Sequence, residues 1–164
     1  MDWYPWLVLV HILGAFGFAV AHGVSMFVAI RLRAERDRAR VMALLDVSNA
    51  SMALLYVSLL VLLVGGVAAG FVGGYWGRLW IWAAIGLLVA VIVAMYAFAT
   101  PYYGSLRQAL GQKTYGTAKD APAPAPLPDE QVETMLDTSR PYWLAASGGL
   151  GLLLILWLMV VKPF

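Results

Sequence analysis

The sequence predicts an all-α fold: an integral membrane four-helix bundle with both termini on the outer face and two loops in the cytoplasm. Three observations predict it. Apolar residues make up 62% of the chain and charged residues only 12%, where soluble domains have about 45–50% and about 25%. The apolar residues fall into four long runs. Lys and Arg divide unevenly between the two sides that those runs define.

The first run covers residues 4–30 and contains no Asp, Glu, Lys or Arg. As a helix it is about 40 Å long, enough to cross a core of about 30 Å with some tilt. It does not read as a cleaved signal peptide: no basic segment precedes it, and it is about twice the length of a signal peptide's apolar region. Residues 31–40 follow, with five arginines. The second run, residues 45–72, has a polar start in Asp46, Ser48, Asn49 and Ser51. A glycine-rich turn at 73–78 leads to the third run, residues 79–100. Pro101 is expected to end that helix, because proline lacks an N–H and disfavours helix at the residue before it. The fourth run, residues 142–161, opens after Pro141, a placement that a first helical turn tolerates well.

Orientation follows from the basic residues. Arg31, Arg33, Arg36, Arg38 and Arg40 lie in the first loop; Arg107, Lys113, Lys119 and Arg140 lie in the third. Arg78 and Lys162 lie on the other side. Nine against two places loops one and three in the cytoplasm and the termini on the periplasmic side. Trp3, Trp6, Tyr75, Trp76, Trp80 and Trp82 read as an aromatic belt at the outer interface. Tyr102, Tyr103, Tyr142 and Trp143 read as its inner counterpart. The net charge of +2 therefore reports orientation, not a nucleic-acid surface.

Residues 101–141 form the one long connection. Residues 102–115 mix apolar and basic side chains, as a surface-lying segment would. Residues 121–128 form an Ala/Pro-rich spacer of polyproline type. Residues 129–138 suit a short helix capped by Asp129. With so little apolar content the segment reads as a tether or a partner-docking loop, not as a domain.

Chemistry is constrained by what is missing. The chain has no cysteine, which excludes disulfides, thiolate zinc sites, iron–sulfur clusters, covalent c-type haem and a cysteine nucleophile. No carboxylate, Lys or Arg lies deep in a run, which argues against an ion-coupled pathway or charged pore. Asp46 is explained by an ion pair with Arg40 or a cap beside Ser48. No phosphate-binding loop or hydrolase signature is present.

Two histidines remain, His11 and His22, both in the first helix. Eleven residues are three turns plus about 20°, so both leave the helix in nearly the same direction, about 16 Å apart along the axis. Gly14, Ala21 and Ser25 share that stripe, and small residues admit a neighbouring helix. The histidines are thus expected to face the bundle interior, as haem ligand, copper ligand or proton relay. The plain alternative is a neutral imidazole held by a hydroxyl or a backbone carbonyl. Two histidines so far apart cannot clamp one iron, and no other helix supplies a third. A haem b would be five-coordinate, paired His/Met, or shared across a subunit boundary. Met26, Met52 and Met95 are the candidate soft partners of His22 for copper, against the ordinary use of methionine as packing filler. Gly66, Gly70 and Gly74, and Gly148, Gly149 and Gly151, predict close helix approach.

The early Leu-Val-His-Ile-Leu-Gly-Ala at residues 9–15, the glycines after it and the arginine-rich loop resemble a bacterial family of small four-helix inner-membrane proteins. More distantly they resemble the CopD-like copper-resistance and HemJ-like membrane proteins. The resemblance implies that His11 occupies the position of a first-helix haem or metal ligand. The chain departs from the HemJ-like pattern in having no intramembrane Lys or Arg, which speaks against protoporphyrinogen oxidation. The function expected is that of a non-catalytic accessory or small subunit of a membrane complex, haem-associated through His11 or His22. Its surroundings would be lipid, other membrane subunits or further copies of itself. A copper or small-solute protein, and a haem-dependent redox enzyme, are the alternatives.

Overall fold

Each apolar run becomes one long helix. The computed structural model describes residues 2–114, 117–118 and 120–164. Lys119, counted above with the basic residues, and Tyr115, at the end of the 102–115 segment, lie outside them. Helix α1 spans Tyr4–Ala34, α2 Arg38–Val72, α3 Leu79–Ala109, α4 Asp129–Leu136 and α5 Arg140–Val161, with a single 3-10 turn at Tyr75–Gly77. Among the described residues, four helical stretches are long and apolar enough to cross a membrane: α1, α2, α3 and the stretch ending in α5. Their outward faces carry Phe16, Leu60, Val64, Phe98 and Leu153, all exposed, as a lipid-facing surface requires.

The helices extend beyond the apolar runs. Most of the expected first loop is helical, and only residues 35–37 connect α1 to α2. Arginine is a good helix former, and Arg31 and Arg33 in the last turn of α1 complement its dipole. Asp37 caps α2 by accepting from the Arg40 N–H at 2.9 Å. The expected stop at Pro101 is corrected: α3 runs through it to Ala109. An interior proline costs about 3 kcal/mol. Burial of the next turns offsets it, with Tyr102, Leu106 and Ala109 all sealed from solvent.

The short 35–37 connection makes α1 and α2 an antiparallel pair in contact along their length. Helix α5 packs on the other flank of α1 and against α3, while α2 and α3, although consecutive, meet only briefly. The neighbour order is α2–α1–α5–α3, so α1 lies between two helices.

The 101–141 connection is not a loose tether. Its described residues fold back under the arginine-rich end of the bundle. Val132 and Leu136 of α4 close a core with Val28, Leu32, Val41, Leu45 and Leu106. The Pro-rich stretch is pinned where Leu127 N–H donates to Ala109 O at 2.8 Å. Arg38 reaches both the Leu127 carbonyl and the Asp129 carboxylate. Asp129 is therefore the first residue of α4 and an ion-pair partner, not its cap; that position is Pro128. Asp46 pairs with Arg107 at 3.2 Å, not with Arg40.

The belts are also redistributed. Trp3, Trp6 and Trp82 are exposed as expected, but Trp80 is buried. Lys162 Nζ sits 4.8 Å from the Tyr75 ring centre and 5.4 Å from that of Trp80. At the other end Tyr142 and Trp143 are exposed, whereas Tyr102 is buried.

Candidate functional site

The contact between α1 and α2 is backbone-close. A Cβ on Gly14 would lie 2.4 Å from Leu62 N, and one on Gly65 2.8 Å from His11 N. One on Gly17 would meet Ser58 Oγ at 2.3 Å. These small residues repeat at three- and four-residue spacing, the period of one helix face. Of the predicted glycine run, Gly66 takes part by lying under the His11 ring. Gly70 instead faces Trp76, and Gly74 adopts a left-handed φ of 66° beyond the end of α2.

His11 is held by this approach. Its Nδ1 is 2.8 Å from Leu62 O. A carbonyl can only accept, so Nδ1 carries the proton, and in the neutral ring Nε2 carries the lone pair. Among the described residues the sealed side-chain polar atoms without a partner are His22 Nε2, Trp76 Nε1 and Tyr102 OH. His11 Nε2 is not one of them: it has no partner among the described residues and opens at the bundle surface.

His22 turns to the other neighbour. Its ring lies parallel to Phe18, with centres 6.5 Å apart and planes within 4°, and its tip presses on α5. A Cβ on Gly148 would fall 2.3 Å from His22 Nε2 and 3.4 Å from Met95 Cε. The two histidines, eleven residues apart on one helix and expected to leave it in nearly the same direction, meet different neighbours: α2 at His11 and α5 at His22. Met95 is the predicted methionine that the fold brings to His22. Met26 and Met52 remain half-buried elsewhere on α1 and α2.

Hydroxyls supply the rest of the interior polarity. Ser25 Oγ lies 3.2 Å from Ser51 Oγ, and Ser51 Oγ donates to Ser48 O at 2.7 Å. Tyr103 OH donates to Ser25 O at 3.0 Å, linking α3 to α1. Sequence reading placed Tyr103 at the interface and used Ser25 only as a small residue. The recurrence of serines at helical spacing in the polar start of the second run was the available signal. Arg107 was likewise missed as an anchor: it donates to Leu45 O at 2.6 Å and to Gln112 Oε1 at 2.7 Å.

The donor set can be tested against the expected groups. Among the described residues no three His, Asp or Glu side chains converge as a metal cluster. The tip of His22 is closed by Gly148, which leaves no room for a haem at Nε2. An open apolar groove between α3 and α5, lined by Leu87, Ala94, Met95 and Leu154, holds about 270 Å³, below the about 300–1,000 Å³ of most cofactor pockets. A haem does not fit inside the bundle at His22. His11 fits as a ligand presented outward, its ring fixed by the carbonyl behind it as ligating histidines commonly are.

The fold and these sites define a multi-pass helical membrane protein whose interior carries imidazole, indole and hydroxyl groups among its described residues. The chain belongs to a family of predicted integral membrane proteins, DUF2269, whose model matches residues 5–163. No curated protein and no solved structure matches the chain.

Proposed function

We propose that the protein is a non-catalytic accessory subunit of a complex in the bacterial inner membrane, presenting His11 as a ligand to a haem b at the boundary with a neighbouring subunit. The supporting observation is the His11–Leu62 hydrogen bond. It fixes the tautomer and ring plane and leaves Nε2 open at the bundle surface. When bound there, the haem would supply electron transfer; the chain's own part is to hold and orient one imidazole. The excess of Lys and Arg in loops one and three supports cytoplasmic loops and outer termini.

The test is a dithionite-reduced minus oxidised absorption spectrum of mildly solubilised membranes that keep the complex together. A Soret band that disappears in His11→Ala and persists in His22→Ala is the expected result. A co-purified complex, prepared with haem available, that lacks the band or keeps it in His11→Ala would overturn the reading.

A second reading, a copper-handling protein, is favoured by one specific observation. His22 Nε2 is sealed without a partner, and the Met95 methyl lies against the same glycine, Gly148, that closes the His22 tip. Imidazole and thioether together suit Cu(I). Metal retained through dialysis by wild type but not by His22→Ala would support it; equal retention would sink it.

A further inference from the structure

We propose that the groove between α1 and α2 at their arginine-rich turn holds the phosphate of an anionic membrane phospholipid, with Arg31 and Arg40 as its ligands. The groove holds about 290 Å³ and is lined by the charged Arg31, Glu35 and Arg40 and the apolar Ala43, Leu44 and Val47. It lies where charged helix ends give way to the apolar spans, the depth at which a lipid headgroup sits above its chains.

The five arginines here are not equivalent. Arg33 pairs with Asp137 at 3.4 Å. Arg36 caps the carbonyls of Arg33 and Glu35 at 2.7 and 2.9 Å. Arg38 is bound to Asp129 and Leu127. The guanidiniums of Arg31 and Arg40 make no hydrogen bond or ion pair among the described residues, and both flank the groove.

Glu35 is the groove's one carboxylate. It attracts Arg40 electrostatically, but its Oε1 is occupied by the backbone N–H groups of Arg36 and Asp37 at 3.0 and 3.1 Å. Asp37 is turned to the Arg40 N–H as a helix cap. Two guanidiniums against one carboxylate leave a net positive rim. Guanidinium recognises phosphate by paired charge-assisted hydrogen bonds, and basic pockets between membrane helices take acidic lipid headgroups. The apolar lining chooses a lipid over free phosphate: Val47 is half exposed, and an acyl chain would cover it where free phosphate would not. The inference requires only that the chain is membrane-embedded, so it stands or falls independently of the His11 proposal.

The test uses the full chain purified in mild detergent and supplemented with phosphatidylglycerol, phosphatidylcholine or inorganic phosphate. Bound lipid is read by native mass spectrometry and stability by the thermal midpoint. Wild type and Arg78→Gln, at the opposite end, are expected to retain phosphatidylglycerol and to gain stability from it alone. Arg31→Gln/Arg40→Gln is expected to bind it about tenfold more weakly or worse, as loss of two charge-assisted contacts implies. The charge-preserving Arg31→Lys/Arg40→Lys should retain part of the binding. Equal retention by the Gln variant, equal retention of phosphatidylcholine, or an equal midpoint gain from inorganic phosphate would each overturn the proposal. Far-UV circular dichroism verifies that the variants are folded.

Discussion

His11 Nδ1 donates across the α1–α2 contact to the Leu62 carbonyl at 2.8 Å, so one imidazole both joins two helices and has its remaining nitrogen aimed outward. The two roles separate experimentally. His11→Ala removes a cross-helix hydrogen bond worth about 0.6 kcal/mol inside a membrane protein. Unfolding in mixed micelles should show a loss of about that size. Loss of haem from the complex would be all-or-none. A large fall in stability would make His11 chiefly structural.

The closeness of α1 and α2 predicts an order among glycine substitutions. A methyl on Gly14 would strike Leu62 backbone at 2.4 Å, which only separation of the helices relieves. Overpacking of this kind costs about 1–3 kcal/mol. A methyl on Gly148 meets the tip of the His22 ring at 2.3 Å, and a side chain can rotate away, so Gly148→Ala should cost less. Gly86 has nothing within 4 Å of the added atom, and Gly86→Ala should gain about 0.5–1 kcal/mol from helix propensity. Micellar unfolding of the three variants checks the order.

His22 Nε2 is sealed and unpartnered, and an unsatisfied buried polar atom costs about 1–3 kcal/mol. In metal-free protein, His22→Leu is therefore expected to be as stable as wild type or more so, by up to about 1 kcal/mol. If added Cu(I) raises the thermal midpoint of wild type and leaves His22→Leu unchanged, the orphan atom is a ligand. A destabilised His22→Leu without metal would show that the ring's packing on Phe18 outweighs the orphan nitrogen.

Arg107 and Asp46 should contribute unequally. The Asp46 side chain is 65% exposed and that of Arg107 18%. An ion pair open to water contributes about 0–1 kcal/mol, so Asp46→Asn should cost less than about 1. Arg107→Ala also strands the Leu45 carbonyl and should cost about 2 kcal/mol, in the range for a charged donor. Comparable losses would mean that the ion pair carries the contact.

The turn between α1 and α2 should weaken in acid. The Glu35 carboxyl is held below its usual range by the backbone N–H of Asp37, then that of Arg36. A depressed folded pKa gives stability that is present above the unfolded value of about 4.3 and lost as pH falls through the folded value. Amide exchange at residues 36–37 should be steady, after correction for intrinsic rate, down to about pH 5 and rise below about pH 4. In Glu35→Gln that acid step should be absent.

Much of this architecture was legible in the chain. The four spans followed from the lengths of the apolar runs, because a bilayer demands about 20 apolar residues per helix. The helix ends were less legible. Arg38 and Leu106 lie in polar or mixed sequence, and they became helical because α4 and the Pro-rich stretch cover that end. No local pattern announces such packing. The candidate site divided in the same way. His11 and His22 stood out as the only histidines, both in apolar sequence, but which helix each would meet was not legible.

The sequence by itself determined composition, span count and the short list of groups able to hold a ligand, because these depend on residue type and on the fixed 1.5 Å rise of a helix. Tertiary structure decided which neighbour each histidine meets, that Met95 shares the Gly148 contact with His22, and that the guanidiniums of Arg31 and Arg40 make no hydrogen bond or ion pair among the described residues. Those outcomes turn on which helix lies on each flank of α1 and on how closely small residues let it approach. Both are set by long-range packing that no stretch of sequence encodes alone.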